Sequence, residues 1–229
     1  MNISFWIIGA GRFGRIAAVR LTKKHPRASF LVVDKRAEAL CQVDDLPVET
    51  RREDGVDFLV QNLKATDAPS CIVPAVPVHL AFEWLKKKLA PVYRVVKVPV
   101  PEQVLSSLPN PLPVAETGKL YASYATFVCP DNCPEPEWIC TTTGQPRKGL
   151  LYQDFQEMSV DGFLTLSIRS LQLAPGVGGY KPETLWAVLE KVVEVGVEKN
   201  YLLSTACLCH GVLDSFRLVK VYSHQTSPD

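Results

Sequence analysis

The chain has 229 residues, 47% of them hydrophobic, enough to bury the core of one large domain or two small ones, which excludes a largely disordered chain. Lysine and arginine number 25 against 24 acidic residues, a formal net charge of +1 with both signs scattered, so nothing in the charge points to nucleic acid or an anionic membrane surface. No apolar run approaches the roughly twenty residues that cross a bilayer. The opening Met-Asn-Ile-Ser lacks the basic start of a secretory signal, so a cytoplasmic protein without membrane insertion is expected. In that compartment seven cysteines are poor material for a disulfide framework, and metal binding or redox chemistry becomes the better expectation.

In chain order, an apolar run of strand length starting at Ile3 meets Gly9, Gly11 and Gly14 in G-x-G-x-x-G spacing. Residues 12–24 read as a helix with Phe13, Ile16, Ala17 and Leu21 on one buried face, and His25-Pro26 ends it. Residues 29–34 form a second strand that closes on Asp34. Strand, glycine turn, helix, strand and terminal carboxylate together make a dinucleotide-binding fingerprint in its proper context. Gly9 would make the tight turn, Gly11 would let a pyrophosphate approach the backbone, and Gly14 would let the helix lie close on the sheet. The unpaired N–H groups and positive dipole end of the helix favour the phosphates, and Asp34 suits the ribose hydroxyls of NAD. Lys35 and Arg36, just beyond, keep NADP open, because a basic residue there can hold a 2′-phosphate.

The run Ile7-Ile-Gly-Ala-Gly-Arg-Phe-Gly-Arg15 resembles the start of the TrkA-N or RCK nucleotide-binding domains that regulate potassium transport, and fits the wider NAD(P)-binding Rossmann superfamily. The resemblance covers about the first thirty-six residues. It implies NAD(H) or another adenine nucleotide gripped by Gly9, Gly11, Arg12, Phe13, Gly14 and Asp34, and often a homodimer attached to a membrane channel.

Further along, residues 37–43 read as a short helix holding Cys41, residues 46–50 as a third strand and residues 55–63 as a helix. Arg51-Arg-Glu-Asp54 reads as a solvated rim. Residues 70–76 read as a buried strand whose end meets the cofactor crevice, and a helix from Pro77 to Leu89 follows. His79 and Glu83, four apart on that helix, make His79 a weak candidate for proton transfer, with a packed or capping histidine as the alternative. Residues 93–98 supply a fifth strand. Pro99, Pro101, Pro109, Pro111 and Pro113 mark a passage out of the first domain.

Beyond it, residues 119–128 and 163–173 read as strands, 175–179 as a glycine turn, 183–195 as an amphipathic helix and 201–205 as a strand. The second chemical signal lies here: Cys129-x3-Cys133-x6-Cys140, and later Cys207-x-Cys209-His210. Five thiols and an imidazole on two short loops can supply four soft ligands for zinc or an iron–sulfur cluster, with groups left over. The alternative is that they are small buried hydrophobes, as Cys41 and Cys71 are expected to be. Trp138 is expected to cover its loop.

The expected fold is α/β: a Rossmann-type parallel sheet over residues 1–112 and a smaller α+β cysteine-containing domain over 113–229. The expected function is an NAD(P)-binding redox protein, possible as an oxidoreductase, with an iron–sulfur or zinc centre near the nucleotide and an unidentified small-molecule or protein redox partner. The competing expectation is a non-catalytic NAD(H) sensor of the TrkA/RCK type.

Overall fold

A computed structural model describes residues 3–221 and shows a mixed α/β chain with one parallel sheet and two further sheets. The parallel sheet comes from the first eighty residues: β1 (Ser4–Ile8), β2 (Ser29–Asp34), β3 (Glu49–Arg52) and β4 (Cys71–Pro74), in the order β3-β2-β1-β4. Between them run α1 (Arg12–Lys24), α2 (Ala37–Leu40), continued by a 3-10 turn at Cys41–Val43, and α3 (Gly55–Asn62), with α4 (Leu80–Leu89) following β4. The central strands are apolar on both faces, as parallel strands covered by helices on both sides must be. Ile7 and Val32 pack with Ala17, Ala18 and Leu21 of α1. Ile8 and Val33 pack with Phe58 of α3 and Leu85 of α4. β3 is exposed along its length and carries Glu49, Arg51 and Arg52, charges that discourage pairing at an open edge.

The helix at 12–24 and the strand at 29–34 have the expected bounds. Three local expectations shift. β3 starts at Glu49 and takes in Arg51 and Arg52. α4 begins at Leu80, with Pro77 in the bend before it. Phe13 is not on the buried face of α1 but 56% exposed.

The larger difference concerns the fifth strand. β5 (Tyr93–Lys97) pairs antiparallel with β12 (His210–Lys220) and so joins the second sheet. That sheet also holds β6 (Leu112–Val114), β7 (Lys119–Ser123), β8 (Phe163–Arg169) and β11 (Asn200–Ala206), in the order β6-β7-β12-β11-β8 with β5 beside β12. Strand pairing therefore crosses residue 112, and one buried cluster runs from Ile8 through α4 and α7 (Pro182–Val195) to Leu203 and Phe216. On the other face of this sheet Leu202, Ala206 and Leu213 pack against α5 (Glu102–Ser107) and α6 (Leu151–Glu157). The expected strand at 163–173 breaks at Ser170 into β8 and β9 (Leu171–Ala174), and β9 turns at Gly176 into β10 (Val177–Gly179). This hairpin sits against β4 through a bridge between Ile72 and Tyr180.

Candidate functional site

The glycine turn has the geometry its residues require. Gly9 stands at φ +107°, and a Cβ there would lie 2.3 Å from the carbonyl oxygen of Ala75. A Cβ on Gly14 would lie 1.9 Å from the oxygen of Gly9, so α1 approaches the turn as closely as glycine permits. Gly11 is different. Its backbone is extended, with φ −66°, and a Cβ would meet only the tip of Arg36, at 3.6 Å. Among the described residues no packing demands glycine at that position.

The Gly9 amide donates to Val33 O at 2.7 Å and the Ala10 amide to Asp34 Oδ2 at 2.9 Å. The next amides, of Gly11, Arg12 and Phe13, donate to no acceptor among the described residues, as expected at a helix start. Asp34 is buried, and its other oxygen accepts from the Arg36 amide at 2.9 Å and from Arg36 Nε at 3.3 Å. Burial would raise the Asp34 carboxyl, but the Arg36 side chain and the two amides outweigh it and hold it below the usual range. Arg36 thus lies across the mouth of the turn, between Asp34 and Gly11.

The cysteine loops reach the start of α1. A cleft of about 1030 Å³ is lined by Phe13 and by all six candidate ligands, Cys129, Cys133, Cys140, Cys207, Cys209 and His210. Side chains of α1 hold the first loop: Arg12 pairs with the Asp131 carboxylate, and Arg20 Nη1 donates to Asp131 O at 2.6 Å. Cys133 O accepts from Gln172 Nε2 at 2.6 Å and from the Gly176 amide at 2.8 Å, which ties the loop to the β9–β10 hairpin. The Leu208 amide donates to Glu135 Oε1 at 2.8 Å and joins the two loops.

Among the described residues no three acidic, histidine or cysteine groups already stand at metal-holding distance. The six candidates instead share one cleft with different surroundings. Burial pushes the Cys129 thiol up, and Cys133, Cys209 and Cys140 are the neighbouring thiols that add to the shift. Burial also raises the Cys209 thiol, against the pull of Arg147, whose Nη1 donates to Cys209 Sγ. The Thr143 hydroxyl and amide hold the Cys140 thiol below its ordinary value. At Cys207, burial and the Glu135 carboxylate push the thiol up to about 12, and its Sγ is 3.9 Å from His210 Nδ1. Burial lowers the His210 imidazole. Cys41 and Cys71 stand apart from these groups, but Cys41 is exposed rather than buried because it lies on the outer side of the 3-10 turn. Trp138 is 78% exposed, where a cover for its loop was expected.

His79 is buried, and its partner is not Glu83, whose side chain pairs with Lys86. Its Nδ1 lies 2.6 Å from Asp214 Oδ2 and its Nε2 2.8 Å from Thr205 Oγ1. Asp214 also pairs with Lys97 and, at 3.3 Å, with Lys119. Burial alone would raise the Asp214 carboxyl, but hydrogen bonds from His79 and Lys97 and the charge of Lys97 hold it down to about 2. Burial lowers His79, which is therefore neutral near pH 7. With Nδ1–H donating to Asp214, Nε2 accepts from the hydroxyl of Thr205, a residue that lines the cleft. A hydroxyl backed by imidazole and carboxylate is an arrangement that can pass a proton.

Thr205, Asp214, Lys97, Lys119, Arg147 and Glu135 are absent from the sequence expectations. Only Asp214 left a signal: in β12 it occupies the alternating inward positions with Phe216 and Leu218, where a carboxylate needs partners.

Residues 81–219 match the family model AF_1314_C, described as "Uncharacterized protein, C-terminal domain". The chain belongs to this family. The AF_1314_C match takes in both cysteine loops, Arg147 and Asp214; the glycine turn and His79 precede it. No curated protein matches the chain. Among the described residues no helix is long and apolar enough to cross a membrane.

Proposed function

We propose that the chain is an NAD(P)-binding redox protein, in which a Rossmann-type unit at the N-terminal end carries the dinucleotide and the cysteine loops carry a soft-metal centre beside it. The observation that carries this reading is the shared cleft, with Phe13 of the glycine turn on one wall and all six candidate ligands around the rest. Gly11 supports the dinucleotide: the chain leaves open the space a Cβ would fill, as a pyrophosphate lying on bare amides needs. Gly9 and Gly14 shape the turn, the Arg12 and Phe13 amides face the phosphates, and Asp34 with Arg36 meets the ribose. The Arg36 guanidinium, paired here with Asp34, is the group that would turn to accept a 2′-phosphate. The donor set of thiols and one imidazole suits zinc or iron–sulfur and not magnesium or calcium. An iron–sulfur centre bound there supplies electron transfer, and zinc supplies structure or carbonyl polarisation. Thr205 and His79 supply a proton acceptor on the cleft wall, with Asp214 stabilising the imidazolium that results.

Titration calorimetry with NAD+, NADH and NADP+, together with iron, sulfide and zinc analysis after anaerobic purification, tests both halves. Binding of a dinucleotide by a metal-bearing protein is expected; heat from none of the three removes the first half, and absence of both metals removes the second. A sensor of the TrkA/RCK type is the second reading, favoured by the Gly-x-Gly-Arg-Phe-Gly turn itself. It predicts dinucleotide binding with no turnover of NADH by artificial electron acceptors such as ferricyanide.

A further inference from the structure

Most of β11 is wholly buried, and Thr205, one of its two half-buried residues, stands where the cleft reaches the strand. The register fixes which face of the sheet the cleft meets. Thr205 pairs with Val212 of β12 and Val212 with Tyr121 of β7, so the three side chains share a face, and all three residues line the cleft. Two residues along each strand, on the same face, come Leu203, Asp214 and Lys119. His79, at the start of α4, spans the two rows: its Nδ1 lies 2.6 Å from Asp214 Oδ2 and its Nε2 2.8 Å from Thr205 Oγ1. Of these three residues Thr205 alone lines the cleft.

We propose that Thr205 is a nucleophile and that the cleft hydrolyses a carboxylic ester through an acyl-threonine intermediate, with His79 as general base and Asp214 orienting the imidazole. This goes beyond the redox reading above, since it needs neither a dinucleotide nor a metal. Carboxylate, imidazole and hydroxyl, each within hydrogen-bond reach of the next, are the arrangement that activates an otherwise weak hydroxyl. In the first step Thr205 Oγ1 bonds to the ester carbonyl carbon while its proton passes to His79 Nε2. The bond from that carbon to the leaving oxygen then breaks, and the alcohol departs with the proton. In the second step water adds to the acyl carbon and gives a proton to His79, which returns it to Thr205 Oγ1 as the carboxylic acid leaves.

A histidine with both ring nitrogens bonded is ordinarily a packing residue, and two features set His79 apart. Asp214 already pairs with Lys97 and Lys119, so its charge does not depend on the imidazole. The partner of Nε2, moreover, belongs to a cleft wall and not to the core. With Nδ1–H donating to Asp214, the Nε2 lone pair is directed at the Thr205 hydroxyl, and the buried ring is neutral and able to take a proton. Phe13, Tyr121, Phe127, Val177 and Val212 give the cleft apolar walls, which suit an uncharged ester with an apolar acyl group.

The test uses the full chain, without added nucleotide, as wild type, Thr205→Val and Thr205→Ser, with circular dichroism as the check on folding. The substrate is p-nitrophenyl acetate. The trap is an alkyl fluorophosphonate, in which a bond forms from Oγ1 to phosphorus, fluoride leaves and the proton goes to His79; peptide mass mapping locates the label. Wild type is expected to release p-nitrophenol over many turnovers, above the rate of heat-denatured chain, and to carry the phosphonyl group on Thr205. T205V should lose on the order of 10²–10⁴-fold in rate and take no label. T205S should keep the label and a rate within about tenfold of wild type, because it keeps the hydroxyl. Absence of turnover in wild type, a label on a cysteine or any other residue instead of Thr205, or a wild-type rate in T205V overturns the proposal and leaves the redox reading standing. Should T205V fail to fold, a label on Thr205 together with an active T205S supports the proposal, and lack of either overturns it.

Discussion

The glycine turn and the cysteine loops, whose cleft takes in Phe13, are held by different kinds of interaction. The turn is set by its own residues and the strands beside it: Gly9 donates to Val33 O, and Gly14 lets α1 close on the backbone of Gly9. The cysteine loops lie outside regular strands, and side chains far away in sequence fix them. Arg12 and Arg20 of α1 hold Asp131, and Gln172 holds Cys133. Behind the cleft wall at Thr205 lies the buried Asp214 network, which joins β12 to β5, β7 and the start of α4. A ligand site built on local backbone geometry survives changes elsewhere, whereas one assembled from loops depends on the tertiary contacts that bring the loops together.

The largest test of that contrast is Asp214→Ala, which leaves Lys97 and Lys119 beside a buried histidine without their carboxylate. Breaking a buried ion pair costs about 3–5 kcal/mol, so urea denaturation should show a loss of that size. The cysteine region should loosen first, read as thiol reactivity at Cys207, while the glycine turn is retained.

Acid should act through the same group. The Asp214 carboxyl lies at about 2 in the folded chain against an ordinary 3.8, so its stabilisation is present above about pH 4 and lost as pH falls toward 2. That difference corresponds to roughly 2 kcal/mol. His79, lowered from 6.5 by burial, is neutral in the fold and takes up a proton on unfolding, so stability should already begin to decline below pH 6.5. Stability that stays flat from pH 7 down to 3 would contradict both statements.

Gly14→Ala places a Cβ where the Gly9 oxygen stands and should destabilise by about 1–3 kcal/mol in thermal melts, through the first sheet. Arg12→Ala removes an exposed ion pair, worth less than about 1 kcal/mol of global stability, but it frees Asp131 and should raise proteolytic cleavage in the cysteine loop. Gly11→Ala should change stability by no more than about 0.5 kcal/mol. In calorimetry it should weaken NAD(H) binding by on the order of tenfold, because its Cβ would occupy open space and not protein. If Gly11→Ala destabilises as much as Gly14→Ala, the distinction between a folding glycine and a ligand glycine fails.

Legibility follows the same division. The bounds of α1 and β2 were readable because periodicity, glycines and the His25-Pro26 stop act within a few residues. β12 was not. Its residues read equally well as any half-buried strand, and its central place comes from pairing with β5, β7 and β11, partners up to more than a hundred residues away. The six candidate ligands were visible as residue types. Their common cleft, with Arg147 on Cys209 and Glu135 on the Leu208 amide, was not, because Arg147 and Glu135 carry no motif.

The amino-acid order alone determined the turn, the helix and the parallel strands of the first region, since glycine sterics, helix stops and apolar patterning are local forces. Tertiary structure alone decided that β5 leaves that region for the second sheet, that His79 meets Asp214 instead of Glu83, and that two cysteine loops meet in one cleft beside α1. Each of those outcomes depends on hydrogen bonds, charges and buried surface contributed by segments distant in the chain, and their balance is struck only when the whole chain is packed.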